Sequence, residues 1–439
     1  MKKIAERNGI EVYFIPTDNK FKTSVISISF CDNLSAERAF LNALLPSVLW
    51  HGCESCPSAK ALSVKLQELC IVDMDSNVDR RGEIQLIQFT AELLSPSYAS
   101  ALADRSAPAS FPEVFSLLLE LLLHPVLENG VFPEEIVRRE CENLEELIRT
   151  SKNDKQAYAM QRMAELMCEG EPYSLFELGN EGDGALVTGE SLYRYYREYF
   201  LQKMPVKIFY CGDEEPVELP ALLENSGLHG EMCDRVTLCG GYLPEKCVPR
   251  EVRHFTETAE VSDGKLVMGY RIDMDDSLAG RGVLAVLNAI LGGGSSSKMF
   301  RIVRERESLA YYCASRVVAK KGLLFCFAGI AAEDREKAEL LMDRQLSEIR
   351  AGHITEEELE TAKTMLISEL HSYRDTQFTL IDYYISRSLL PGDSASLADF
   401  ENAISAVTAE DVAKYAARIR PDTVYFMYGE DPEEEDEEE

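Results

Sequence analysis

Thr23-Ser24-Val25-Ile26-Ser27-Ile28-Ser29-Phe30 and Lys265-Leu266-Val267-Met268-Gly269-Tyr270-Arg271-Ile272 are the pair of stretches that decides the fold. Both alternate with period 2 over part of their length, the mark of a strand. Each leads, after a short polar loop, into an apolar helical stretch: Ala39 to Leu49 after the first, Val283 to Leu291 after the second. A second matching pair is helical. Phe132-Pro133-Glu134-Glu135-Ile136 opens a charged helix ending near Arg149, and Ile354-Thr355-Glu356-Glu357-Glu358-Leu359 opens one running to about His371. Pro133 suits a first helical position. Thr355 and Glu358 have capping-box spacing, in which a hydroxyl takes one orphan amide and the acid reaches back to another. Each half then closes on a Tyr-rich helix and a strand: Leu192 to Phe200 with Val206 to Tyr210, and Val412 to Ile419 with Thr423 to Tyr428. Gly212 and Gly429 follow the two strands.

Four features in one order, offset by about 215 to 240 residues, make a duplication. The drift in offset predicts an insertion in the first half, at the Ser/Ala/Pro-rich stretch Tyr98 to Pro112. The stretch from Asp213 to about Arg253, with Pro216, Pro220, Gly227, Gly230, Gly240 and Gly241, reads as a linker. The expected organisation is a lobe over 1–213, a linker over 214–253, a second lobe over 254–430 and an acidic tail over 431–439. Strands and helices are mixed, with hairpin-like neighbours such as Gly322 to Ile330, so the class is α+β rather than doubly wound.

The chain has 439 residues and a formal charge of −31. Nine acids lie between Glu430 and Glu439, a run that reads as solvated and disordered. The rest is still strongly acidic, which excludes nucleic acid as a partner, since phosphate binding needs a basic face. An acidic wall attracts basic peptides, but most acidic surfaces only keep proteins soluble. No apolar signal-peptide core follows Met1-Lys2-Lys3-Ile4-Ala5-Glu6-Arg7-Asn8-Gly9, and the apolar run Val114 to Leu127 is broken by Glu120, His124 and Pro125. No membrane association is expected. Twelve scattered Cys point to reduced thiols in a cytoplasm.

Chemistry is defined first by what is missing. The six His are 51, 124, 229, 254, 353 and 371, and no two lie three to five residues apart. A helical zinc site needs two imidazoles on one face, so neither H-E-x-x-H nor H-x-x-E-H can be written here. G-x-x-x-x-G-K-[ST] and G-x-S-x-G are absent too. Cys53 and Cys56 form a lone C-x-x-C without the second pair that tetrahedral zinc requires. They read as surface-loop thiols, with a metal or redox role as the alternative.

The strongest local signal is Gly292-Gly293-Gly294-Ser295-Ser296-Ser297-Lys298-Met299-Phe300-Arg301-Ile302-Val303-Arg304-Glu305-Arg306-Glu307-Ser308-Leu309-Ala310-Tyr311. Three Gly end one helix, a Ser run caps the next, and Leu309-Ala310-Tyr311 turns into a strand. Arg304 could hold a backbone carbonyl, and Tyr311 could donate its hydroxyl to the same substrate. The same residues also suit a Gly-rich turn and a helix with solvated charges.

The run Gly293 to Tyr311 closely resembles the G-G-x-x-S-S-x-L-F-x-x-[IV]-R-E-x-x-[GS]-L-A-Y segment of the insulinase/pitrilysin zinc metallopeptidases, the family that includes the mitochondrial processing peptidase. The likeness extends over about residues 1 to 430. It implies two tandem duplicated lobes, each a mixed, largely antiparallel sheet covered by helices. It also implies peptide contacts from Arg304, Tyr311 and the Gly292, Gly293 and Gly294 loop, with peptides added as a strand to a sheet edge. In the first half, Gly52 to Lys60 resembles the segment just after the family's H-x-x-E-H. Counting back puts that motif on Ala43, Leu44, Leu45, Pro46 and Ser47, so neither His nor the general-base Glu is present. No metal, no cofactor and no metal-activated water are then expected, and Glu140, Glu142, Glu145 and Glu146 have no metal to bind. The same alignment puts Cys53 and Cys56 where the family has ordinary residues.

The resemblance implies a non-catalytic member, paired with an active homologue and binding peptide or unfolded polypeptide. The open alternatives are a stand-alone peptide-binding or accessory protein, and an enzyme using Cys53 and Cys56. Within bacteria, the stretch Asp79-Arg80-Arg81-Gly82-Glu83 is similar to that of paired peptidase-like proteins associated with 5-aminopentanol modification of elongation factor P.

Overall fold

The computed structural model describes residues 1–69, 71, 73–98, 110–228, 235–239, 244–248, 250–389 and 395–429. The acidic tail lies outside the described residues, as does most of the insertion expected at Tyr98 to Pro112. In chain order the strands are β1 (Lys2–Arg7), β2 (Ile10–Pro16), β3 (Thr23–Asn33), β4 (Asp73–Arg81), β5 (Ile84–Leu94), β6 (Val206–Gly212), β7 (Arg253–Thr258), β8 (Gly264–Ile272), β9 (Ala310–Val318), β10 (Leu323–Ile330) and β11 (Ile419–Tyr428). The longer helices are α1 (Ala39–Leu49), α2 (Ala59–Glu68), α3 (Phe111–Leu123), α4 (Glu134–Ser151), α5 (Lys155–Met167), α6 (Gly189–Tyr195), α7 (Leu219–Ser226), α8 (Leu278–Gly292), α9 (Arg335–Arg350), α10 (Glu356–Ser372), α11 (Gln377–Ser388), α12 (Leu397–Ser405) and α13 (Ala409–Ala416).

The two sheets run β1-β2-β6-β3-β5-β4 and β7-β11-β8-β10-β9. Within each, one pair is parallel (β2 with β6, β7 with β11) and the rest are antiparallel. Setting β1 aside, the orders match position by position, so the duplication read from the sequence is a duplication of topology. Thr23 to Phe30 and Lys265 to Ile272 lie in β3 and β8, inside their sheets, as burial along almost the whole length requires.

Compact units do not coincide with the two halves of the chain. The first unit takes Met1–Arg149, Leu175–Cys239 and Tyr373–Ser394. The second takes Thr150–Ser174, Gly240–Ser372 and Ala395–Glu439. A division near residue 213 is thus crossed twice, once in each direction, and each crossing carries a helix. In the first unit, Ile26, Ile28 and Phe30 of β3 face a core built with α1, α3 and α4. The opposite face of β3 presents Ser27 and Ser29, which are also buried. There α11 lies against β3 and β6, and the Gln377 amide donates to the Thr23 and Cys211 carbonyls at 2.8 and 2.9 Å. In the second unit the corresponding cover is α5, whose Ala159, Met163 and Met167 pack with Val267, Phe325, Tyr425 and Met427. At Gly269 of β8 a Cβ would stand 2.6 Å from the Met167 sulfur, so a larger residue there would have to displace that side chain of α5. The capping box expected at Thr355 and Glu358 is formed, with reciprocal bonds of 2.9 and 3.1 Å.

Candidate functional site

Helix α1 carries the three positions where the sequence predicts an emptied metal motif. Ala43 and Pro46 are buried and Ser47 is exposed. Ala43 and Ser47 lie one turn apart on one face, the geometry that lets two side chains reach one ion, but neither is an imidazole. Pro46 sits inside the helix, where it can donate no backbone hydrogen bond.

One more turn along, just past the end of α1, stands His51. Its Nε2 lies 2.9 Å from Glu140 Oε1 on α4. The Arg139 guanidinium reaches both ring nitrogens, at 3.1 and 3.3 Å, and also Glu140 at 3.3 Å. Asn143 donates to the other Glu140 oxygen at 3.0 Å. Burial acts to raise the Glu140 carboxyl, but the bonds from Asn143, His51 and Arg139 outweigh it and hold the group below its ordinary range. The other acids on this helix are engaged as well: Glu142 with Arg138, Glu146 with Arg149, and Glu145 accepting the Gly184 amide. Among the described residues no three His, Cys, Asp or Glu side chains are grouped to hold a metal ion.

The expectation for Cys53 and Cys56 is corrected. They are not surface thiols but buried, in a cluster with Leu62, Leu117 and Leu121. Burial raises the Cys53 thiol, which disfavours the nucleophilic thiolate. The backbone turn between them is closed by reciprocal amide–carbonyl bonds of 3.0 Å. It starts at Gly52, whose φ is +140° and whose Cβ would fall 2.3 Å from the Cys56 carbonyl oxygen, so glycine is required there.

In the second unit the predicted residues part company. Gly292, Gly293, Gly294 and Arg304 line one cavity of about 620 Å³. The Arg304 guanidinium stacks 4.6 Å above the Phe300 ring, and the segment Phe300–Arg306 is a π-helix, a form often found at functional sites. Ser308 turns with φ +54° into β9. Tyr311 follows, 65% exposed and outside the cavity lining, while its neighbour Tyr312 is part of that lining. Residues of both parities, Tyr312 and Ser315, line it along β9, a strand that pairs with β10 on one side only among the described residues. Gln156, from the crossing helix α5, completes one wall. No local pattern marks Tyr312 or Gln156 in the sequence, because their place in the lining depends on how β9 and α5 pack.

A second cavity, of about 960 Å³, lies in the first unit between the start of α1 and α6 with its π-helical continuation Tyr196–Phe200. Tyr195 and Tyr199 stack in its wall, 5.5 Å apart, with their hydroxyls turned inward to Asn42 and to the fully buried Asp32. Burial and the Asp32 charge push the Tyr199 hydroxyl up to about 12. No local sequence pattern marks this cavity.

The chain thus combines two units of matching strand order, a helix α1 without imidazole side chains and a Gly-lined cavity with a stacked Arg. Residues 187–366 match the family described as peptidase M16 inactive domain. The chain is 29% identical over 425 residues, 97% of each chain, to a probable inactive metalloprotease, YmfF, of Bacillus subtilis. Among solved structures it is similar to a conserved protein from Enterococcus faecalis, at 26% identity and a TM-score of 0.85, covering 96% of this chain and 97% of that one. A peptidase M16 inactive domain from Pseudomonas fluorescens shares the fold at 16% identity and a TM-score of 0.74, with 98% of each chain covered. The chain is thus similar to inactive homologues of the peptidase M16 type, over residues 187–366 by the family match and over nearly its whole length by the relative from Bacillus subtilis. The zinc that this family implies does not fit here: Ala43 and Pro46 offer no donor atom, and Ser47 offers only a hydroxyl. Among the described residues no helix is long and apolar enough to cross a membrane.

Proposed function

We propose that this chain is the non-catalytic, peptide-binding subunit of a heteromeric zinc peptidase, working beside a homologue that carries an intact H-x-x-E-H. The observation that carries this reading is the contrast within one chain. Ala43, Pro46 and Ser47 offer no ligand set, while Arg304 and the Gly292 to Gly294 loop frame a cavity at a strand edge that is unpaired among the described residues. An extended peptide laid along β9 would gain main-chain hydrogen bonds there, and Arg304 would meet a peptide carbonyl beside it. Tyr311, exposed at the start of β9, is assigned to the same peptide further along the edge. Co-expression with an H-x-x-E-H homologue from the same genome is the test. The reading expects the two to co-purify, with zinc by elemental analysis in the partner alone and cleavage only by the pair. One zinc per chain in this protein purified by itself would contradict it, as would cleavage by this chain alone.

A further inference from the structure

We propose that His51 and Glu140, with Arg139, form a metal-free clasp that fastens the C-terminal end of α1 to α4. In an intact H-x-x-E-H helix one ion anchors side chains on a face of that helix. Here His51 stands just past the end of α1, four residues beyond Ser47, and the anchoring bond is made by the protein itself: His51 Nε2–H donates to the Glu140 carboxylate at 2.9 Å, while the Arg139 guanidinium donates to His51 Nδ1 and to the same carboxylate, each at 3.3 Å. Asn143 holds the second carboxylate oxygen, so Glu140 is fixed from three sides. The pair is sheltered, with the His51 and Glu140 side chains 23% and 12% exposed, which places it above a freely solvated surface ion pair. Arg139 also puts a fixed positive charge where a cation would otherwise balance the carboxylate, so the arrangement needs no ion and disfavours one.

The molecule supplies its own reporter. Its single Trp, Trp50, precedes His51 and donates its indole N–H to Ser76. Urea unfolding of the full chain, followed by Trp50 emission, is compared for the native protein, His51→Ala, Glu140→Gln and the double variant. The clasp predicts a lower midpoint in each single variant and a double variant no worse than the weaker single, because either change breaks the same bond. It also predicts that His51→Gln, which keeps a hydrogen-bonding side chain, recovers part of the loss. Adding EDTA or zinc to the native protein leaves the curve in place. Additive effects of the two changes would overturn the proposal, as would a zinc-dependent midpoint in the native protein. Should a variant not fold, hydrogen exchange of the native amides from Trp50 to Cys53 with and without EDTA decides: insensitivity supports the clasp, and faster exchange on chelation overturns it.

Discussion

Four side chains in the second unit, Glu171, Arg271, Lys321 and Asp422, are buried together and neutralise one another. Arg271 lies 2.6 Å from Glu171 and 3.1 Å from Asp422, and Lys321 lies 2.7 Å from Glu171. Glu171 follows α5 in the first half of the sequence, so the cluster fixes the crossing segment to β8 and β11. Replacing Arg271 by Met removes the partner that the two buried carboxylates share, leaving Glu171 with Lys321 and Asp422 with Arg250 and Arg253. The expected loss is about 3–5 kcal/mol, read from urea unfolding. The same cluster sets a pH dependence. Burial acts to raise both carboxyls, but the bonds to Arg271 and Lys321 at Glu171, and to Thr423, Arg250 and Arg271 at Asp422, lower them overall. A carboxyl lowered in the folded state stabilises fully above its unfolded value, here 4.5 for Glu171 and 3.8 for Asp422. That contribution is lost as the pH falls below those values. Stability measured between pH 7 and pH 3 should drop below about pH 4.5, and the Arg271→Met variant should show a shallower drop. At this scale the absence of H-x-x-E-H is legible by counting alone, since no fold can supply an imidazole that the sequence lacks. The burial of Cys53 and Cys56 was not, because Leu117 and Leu121, which cover them, lie more than one helix away in the chain.

Helices α5 and α11 play equivalent parts. Each covers the second face of the sheet built mainly from the other half of the chain. Gln377 anchors α11 by two bonds to strand carbonyls and by accepting the Thr23 hydroxyl at 3.0 Å. Gln377→Leu keeps the volume but leaves two buried carbonyls without that donor. A loss of about 1–3 kcal/mol is expected in thermal or urea unfolding, larger than that of a substitution on the exposed face of the same helix. The strands β3 and β8 were legible from their alternation, and the capping box of α10 from its spacing. The role of α5 and α11 was not, because an amphipathic helix shows that it buries one face and not which sheet receives it.

For the whole molecule, the reciprocal crossing means that neither half of the sequence holds a complete unit. A fragment ending at residue 213 lacks α11, and one beginning at residue 254 lacks α5 and the Glu171 partner of Arg271 and Lys321. Each fragment expressed alone is expected to be insoluble or to lack a cooperative transition, and co-expression of fragments 1–213 and 214–439 to yield a soluble complex. Gel filtration and circular dichroism read the outcome. The duplication and the α+β class were legible from four paired features in one order. The exchange of helices between the halves was hidden, because a repeat gives the order of elements and not their partners in space.

The proposed role is to bind polypeptide without cutting it, through the cavity that contains Arg304. The most direct measurement is fluorescence anisotropy of a labelled, unstructured peptide titrated with the full chain in EDTA, with the peptide checked for cleavage by mass spectrometry afterwards. Saturable binding, an intact peptide and at least about tenfold weaker binding by Arg304→Ala are predicted, about 1.4 kcal/mol for one lost charge-assisted contact. No binding, equal binding by Arg304→Ala, or a cleaved peptide would contradict it.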